Sequence, residues 1–171
     1  MSEYMNKEID GIDRVVAQWG KEKPELDTLP MELIGRLMRI GKHLETQIAV
    51  FHKRYGLTLG EFDVLATLRR AGGDHCLTPS ELIATMMLTS GAMTNRLDRL
   101  ESKGQIVRVH SQKDRRSVSV ALTGQGLALI DELIVEHVNI QQGLMASLGD
   151  ADKPLLNGLL KIWLAEFESQ G

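Results

Sequence analysis

The sequence predicts a mainly α-helical chain carrying one small β-hairpin, and three observations predict it. Apolar residues recur every three to four positions over most of the 171 residues. Near the middle, two short helical segments follow one another through a tight turn. Directly after them the period shortens to two, over residues 106–122.

Taken in order, Ile9, Ile12, Val15, Val16 and Trp19 fall at helical spacing and predict a short amphipathic helix, with Gly20 and Pro24 expected to break it. A long helix is expected from about Pro30 to Tyr55. Its stripe is Leu33, Ile34, Leu37, Ile40, Leu44, Ile48 and Phe51, with a proline near the start, where it is tolerated. Gly56 ends it. The next helix shows Phe62, Leu65 and Leu68 on one face and stops at Gly72-Gly73. Thr78, Pro79 and Glu81 then supply an N-cap, a first-turn proline and a capping box. After a turn at Leu88-Thr89-Ser90, a second short helix runs from Ser90 to Lys103 and closes at Gly104. Met93, Leu97 and Leu100 form its inward stripe, leaving Ser90, Gly91, Thr94, Asn95 and Asp98 outward. Two short helices joined in this way are a helix-turn-helix.

In the strand region Ile106, Arg108 and His110 alternate with Val107 and Val109, and Val118, Val120 and Leu122 alternate with Ser117, Ser119 and Ala121. The connecting residues, Ser111 to Asp114, are all turn-tolerant. A hairpin at this place makes the motif a winged helix-turn-helix. Two further helices are expected, from about Gly124 to Ser147 and from Asp152 to Glu168. The stretch LLNGLLKIWLAEF in the last is apolar on more than one side, which a single small core does not require. The terminal helices are therefore expected to dimerise the chain. The organisation expected is one compact domain: an extra helix and linker over 1–29, the long helix and winged motif over 30–123, and dimerisation helices over 124–171.

Composition narrows the function. Hydrophobic residues make up 43% and charged residues 25%, which is globular rather than disordered. The single cysteine, Cys76, excludes an intrachain disulfide and fits a reducing cytoplasm. No apolar stretch approaches the roughly 18 residues of a membrane span, and the polar N-terminus reads as neither a secretory signal nor a transit peptide. The net charge of −3 conceals a polarity. From Arg96 to Arg116 seven basic residues face three acidic ones, giving +4 there and −7 elsewhere. A basic edge on an acidic body suits nucleic acid. Nucleotide-binding loops, nucleophile elbows and metalloprotease motifs are absent, and the five histidines show no strong metal spacing. Neither an enzyme nor a metal or cofactor is expected.

With these elements placed, the chain resembles the MarR family of transcriptional regulators over about residues 9–168. The most specific match is the wing pattern Asp-x-Arg, alternating apolar residues and Leu-Thr-x-x-Gly, here Asp114, Arg116, Val118, Val120, Leu122, Thr123 and Gly126. The resemblance implies a homodimer on a pseudo-palindromic duplex. Arg116 would enter the minor groove, Asp114 would hold the wing tip by pairing with an arginine, Arg115 would contact phosphate or brace the wing, and Lys113 joins them among the DNA-binding residues. The helix from Ser90 would enter the major groove, with Ser90 and Thr94 toward bases or phosphates and Asn95 toward adenine.

The extra N-terminal helix further resembles the urate-responsive and PecS-like subgroup. In that subgroup a tryptophan, an aspartate and two arginines bind urate or a related anion, and the matching positions here are Trp19, Asp63, Arg96 and Arg108. Two guanidiniums and an aromatic face suit a planar anion. The implied function is a repressor released by such an anion. Two alternatives remain at this level: a regulator responding to oxidant through Cys76, and a winged-helix protein-interaction module without ligand.

Overall fold

The computed structural model describes residues 8–86, 90–110 and 118–169. The chain falls into two compact units, one ending at Val50 and the other beginning at Phe51.

In the first unit, α1 (Gly11–Glu22) starts at a capping box. The Asp10 carboxylate accepts from the Ile12 and Asp13 amides at 2.6 and 2.8 Å, and Asp13 reciprocates to the Asp10 amide at 2.9 Å. The helix continues through Gly20, so the expected break falls two residues later. A single exposed glycine costs a helix only about 1 kcal/mol, too little to end one that is otherwise well capped. The long helix α2 (Leu29–Arg54) follows. Its Arg36 reaches back to α1, bonding Asp10 at 2.8 Å and also Asp13, while Glu32 on α2 itself sits 3.3 Å away. The Asp13 amide, and then Arg36, hold the Asp10 carboxyl down at about 2. Ile12 packs where α2 carries Gly35, so closely that a β-carbon there would lie 2.9 Å from its Cδ1.

The second unit holds the last turn of α2 together with α3 (Leu59–Arg70), β1 (Cys76–Leu77), α4 (Pro79–Met86), α5 (Ser90–Ser102), β2 (Ile106–His110), β3 (Val118–Leu122), α6 (Gly124–Leu144) and α7 (Asp152–Glu168). Both capping boxes in it are formed: Thr58 with Glu61 at the start of α3, and Thr78 with Glu81 before α4. The strands make an antiparallel sheet in the order β1-β3-β2, with Arg108 opposite Val120 and Cys76 opposite Ala121. Sequence reasoning foresaw the hairpin but not β1. A two-residue strand has no period to detect, and it forms only because β3 offers its second edge.

Leu65 and Leu68 of α3, Leu82 of α4, the stripe Met93, Leu97 and Leu100 of α5, Val120 of β3, and Ile130 and Leu133 of α6 form the core. The inward stripe expected for α5 is therefore its buried face. The junction between sheet and α6 is tight. Thr123 caps α6 through the Gly126 amide at 3.0 Å, and a β-carbon on Gly126 would lie 1.9 Å from the Gln105 carbonyl oxygen. That contact is the physical reason for glycine at the end of the Leu-Thr-x-x-Gly pattern.

A buried aromatic stack ties α2, α3 and α6. The His52 ring stacks on Phe62 at 4.2 Å, Phe62 on His137 at 4.5 Å, and the two imidazoles share a 3.1 Å hydrogen bond between His52 Nε2 and His137 Nδ1. By contrast, α7 buries no residue in the chain: Leu155, Leu159, Ile162 and Phe167 are all exposed, the last by 65%. Among the described residues no helix is long and apolar enough to cross a membrane.

Candidate DNA-reading helix and anion cleft

The helix α5 is presented by its own amphipathicity. Met93, Leu97 and Leu100 fasten one face into the core, so Gly91, Thr94, Asn95 and Asp98 face outward as their spacing predicts. The backbone of Ser90 begins the helix. The wing residues Lys113, Asp114, Arg115 and Arg116 lie outside the described residues, while the strands β2 and β3 that carry them are in place.

Two charged contacts fix the C-terminal half of α5. At its C-terminal end, Lys103 donates to the Gly56 carbonyl at 2.8 Å and to Glu61 Oε1 at 2.9 Å. Glu61 is only 2% exposed. Burial works to raise its carboxyl, but the Thr58 amide and the Lys103 ammonium outweigh burial and hold it below the ordinary value. On another face, Arg108 of β2 reaches across to α5, where its Nη2 meets Asp98 at 2.5 Å and its Nη1 meets Glu101. The Arg108 amide also donates to Glu101 Oε1 at 3.3 Å.

Between the start of α3 and the flank of α5 lies an open cleft of about 220 Å³, lined by Thr58, Glu61, Ala92, Asn95, Arg96 and Arg99. Positions 92, 95, 96 and 99 share one helix face. The Arg96 guanidinium lies against Gly60, where a β-carbon would fall 2.3 Å from its Cζ. Glycine at 60 thus lets this cation lie flat against α3. Asp63, one turn further along α3, has its carboxyl raised by burial, with Arg96 ahead of Arg70 and His137 in opposing that rise.

Of the four residues expected to hold an anion, Asp63 and Arg96 are therefore within electrostatic reach of each other. Arg108 is occupied by Asp98 and Glu101, and Trp19 stands on α1, 39% exposed. Sequence reasoning missed Arg99, Asn95 and Thr58 as cleft residues and Lys103 as the partner of Glu61. The Thr58-x-x-Glu61 capping box was the one signal available in sequence. Cys76 lies in β1, partly buried, and among the described residues no group of three or more potential metal ligands exists.

The expected turn at Leu88-Thr89 lies outside the described residues, but two successive short helices, α4 and α5, followed by the antiparallel strands β2 and β3, with an exposed polar face on α5, define a winged-helix DNA-binding regulator. Comparisons with known proteins specify which. Residues 55–117 match the MarR family model. The regulator PecS of Dickeya dadantii (strain 3937) is 37% identical over 149 residues, covering 87% of this chain and 90% of the relative. A MarR variant from E. coli, solved in complex with operator DNA, is 30% identical with a TM-score of 0.65, over 85% of this chain and 97% of that one. AbsC of Streptomyces coelicolor shares the fold at a TM-score of 0.72 and 21% identity, over 84% and 97% of the two chains. The chain belongs to the MarR family of DNA-binding transcriptional regulators; its relatives and its fold are those of regulators, not of enzymes.

Proposed function

We propose that this chain is a homodimeric repressor that binds a pseudo-palindromic duplex and is released from it by a small aromatic or purine anion such as urate. The observation that carries the release step is the position of Arg96. It lies on the flank of the DNA-reading helix, beside an open cleft that also presents Arg99, with the Asp63 carboxyl behind it. An anion attracted to these guanidiniums competes with Asp63 for Arg96 and so pulls on α5. Asp63, Arg96 and Arg108, with Trp19 as an aromatic face, are the proposed ligand residues. Ser90, Thr94, Asn95 and the wing residues Lys113, Asp114, Arg115 and Arg116 are the proposed DNA contacts. The anion acts only if it binds the DNA-free state better than the DNA-bound one.

The apolar face of α7 supports the dimer, since an obligate interface of roughly 2,000 Å² or more needs apolar surface of that kind. Two such subunits present two reading helices about one DNA turn apart.

Calorimetric titration of urate into wild type and Arg96→Ala tests the release site. The expected result is at least about a tenfold loss of urate affinity, the order of a lost charge-assisted pair, with operator affinity kept to within a few-fold. Equal urate affinity in the two proteins overturns the assignment.

A further inference from the structure

We infer that Asp98 and Glu101 are internal competitors of the effector: they hold Arg108 in the DNA-competent state, and the anion must displace them to reach it. The inference rests on the anion-release function proposed above and adds how release is transmitted.

Arg108 is the middle residue of β2, the first strand of the wing, and its guanidinium bridges two carboxylates one helical turn apart on α5. With the Arg108 amide also bonded to Glu101, strand and helix are bracketed at backbone and side chain together. Arg108 is 26% exposed in this position, so the bracket is partly shielded from solvent while its outer edge is reachable. A guanidinium presents its donors in one plane, and those turned toward two carboxylates are not available to a third anion. An anion that takes the Nη1 and Nη2 donors facing Glu101 and Asp98 therefore competes directly with the bracket. Opening it removes the charged link between the wing and α5, the two elements that must address one duplex in fixed register. Asp98 and Glu101, set free, also add negative potential beside the DNA-reading face, which opposes rebinding to phosphate.

This makes Asp98 and Glu101 positioning residues with an unusual signature: removing their charges strengthens effector binding. A purely structural bridge, when removed, leaves ligand affinity unchanged or weaker. The test is urate calorimetry at physiological salt on the full-length wild type, Asp98→Asn/Glu101→Gln, and Glu132→Gln/Glu136→Gln, which removes two exposed charges from α6 as a control for net charge. Partly exposed ion pairs are worth up to about fivefold each, so the double variant is expected to bind urate roughly three- to tenfold more tightly, with the control unchanged. If the wild type binds urate and the double variant binds it no more tightly, the inference is overturned.

If the wild type binds no urate, it is the effector proposal that fails, and operator affinity then decides the bracket. Arg108→Met, Glu101→Gln and the two combined are compared. A combined loss no greater than that of Arg108→Met alone supports the bracket, and full additivity overturns it.

Discussion

Replacing Lys103 by Met removes the cation that neutralises Glu61 while keeping most of the side chain's length. The Glu61 carboxylate, 2% exposed, then keeps the Thr58 amide at 2.7 Å but loses its 2.9 Å partner, and the Gly56 carbonyl loses its 2.8 Å donor. Breaking a buried pair costs about 3–5 kcal/mol. Lys103 is 35% exposed, so water enters the vacated side and the cost falls to about 2–3 kcal/mol. For a chain of this size that lowers Tm by about 5–10 °C. The pH dependence is diagnostic. In the wild type the Glu61 carboxyl lies below its ordinary value, so it contributes stability at neutral pH that is lost as pH falls through the folded pKa. In the variant burial prevails and the carboxyl rises. Its charge is then a penalty at neutral pH, relieved by protonation as pH falls. Thermal denaturation of both proteins between pH 7.5 and 4.5 should show the gap in Tm narrowing on acidification, and Glu61→Gln in the Lys103→Met background should recover most of the loss at pH 7.5. A gap that is absent at pH 7.5, or constant with pH, refutes this account of how the end of α5 is held.

Two further predictions concern the same scaffold. Gly126→Ala puts a β-carbon 1.9 Å from the Gln105 carbonyl oxygen, so backbone must move on one side; a loss of at least about 2 kcal/mol is expected, and an unchanged urea midpoint would contradict it. His52 is pushed down to about 4, by burial first and then by the charge of His137. The unfolded chain takes up that proton near 6.5. Its contribution is thus complete above about pH 6.5 and declines by on the order of 2 kcal/mol towards pH 4. His52→Phe should flatten the fall of urea midpoints over that interval, and parallel profiles would exclude His52 as the cause.

Much of this was legible in the sequence because local chemistry declares itself. Thr78-Pro79 with Glu81 marked the start of α4, and Gly56, Gly72 and Gly104 marked helix ends, all three at positive φ. The last helix was placed as found, Asp152–Glu168, whereas α6 stops at Leu144 rather than Ser147, in a stretch with no strong stop signal. What the sequence withheld is tertiary. Arg108 alternates correctly in its strand, yet nothing local says that Asp98 and Glu101 will meet it. Gly60 looks like any early-helix glycine until Arg96 is seen lying against it. Likewise β1 exists only through its pairing with β3.

The most direct test of the central claim is fluorescence anisotropy of a labelled duplex from the region upstream of the protein's own gene, titrated with protein at several salt concentrations, with and without urate. The expected result is tight, saturable binding that weakens steeply with salt as phosphate neutralisation releases counterions, and that urate relieves. Binding that is salt-insensitive or absent would contradict DNA recognition through the basic wing and α5, and tight binding that urate leaves unchanged would contradict release by that anion.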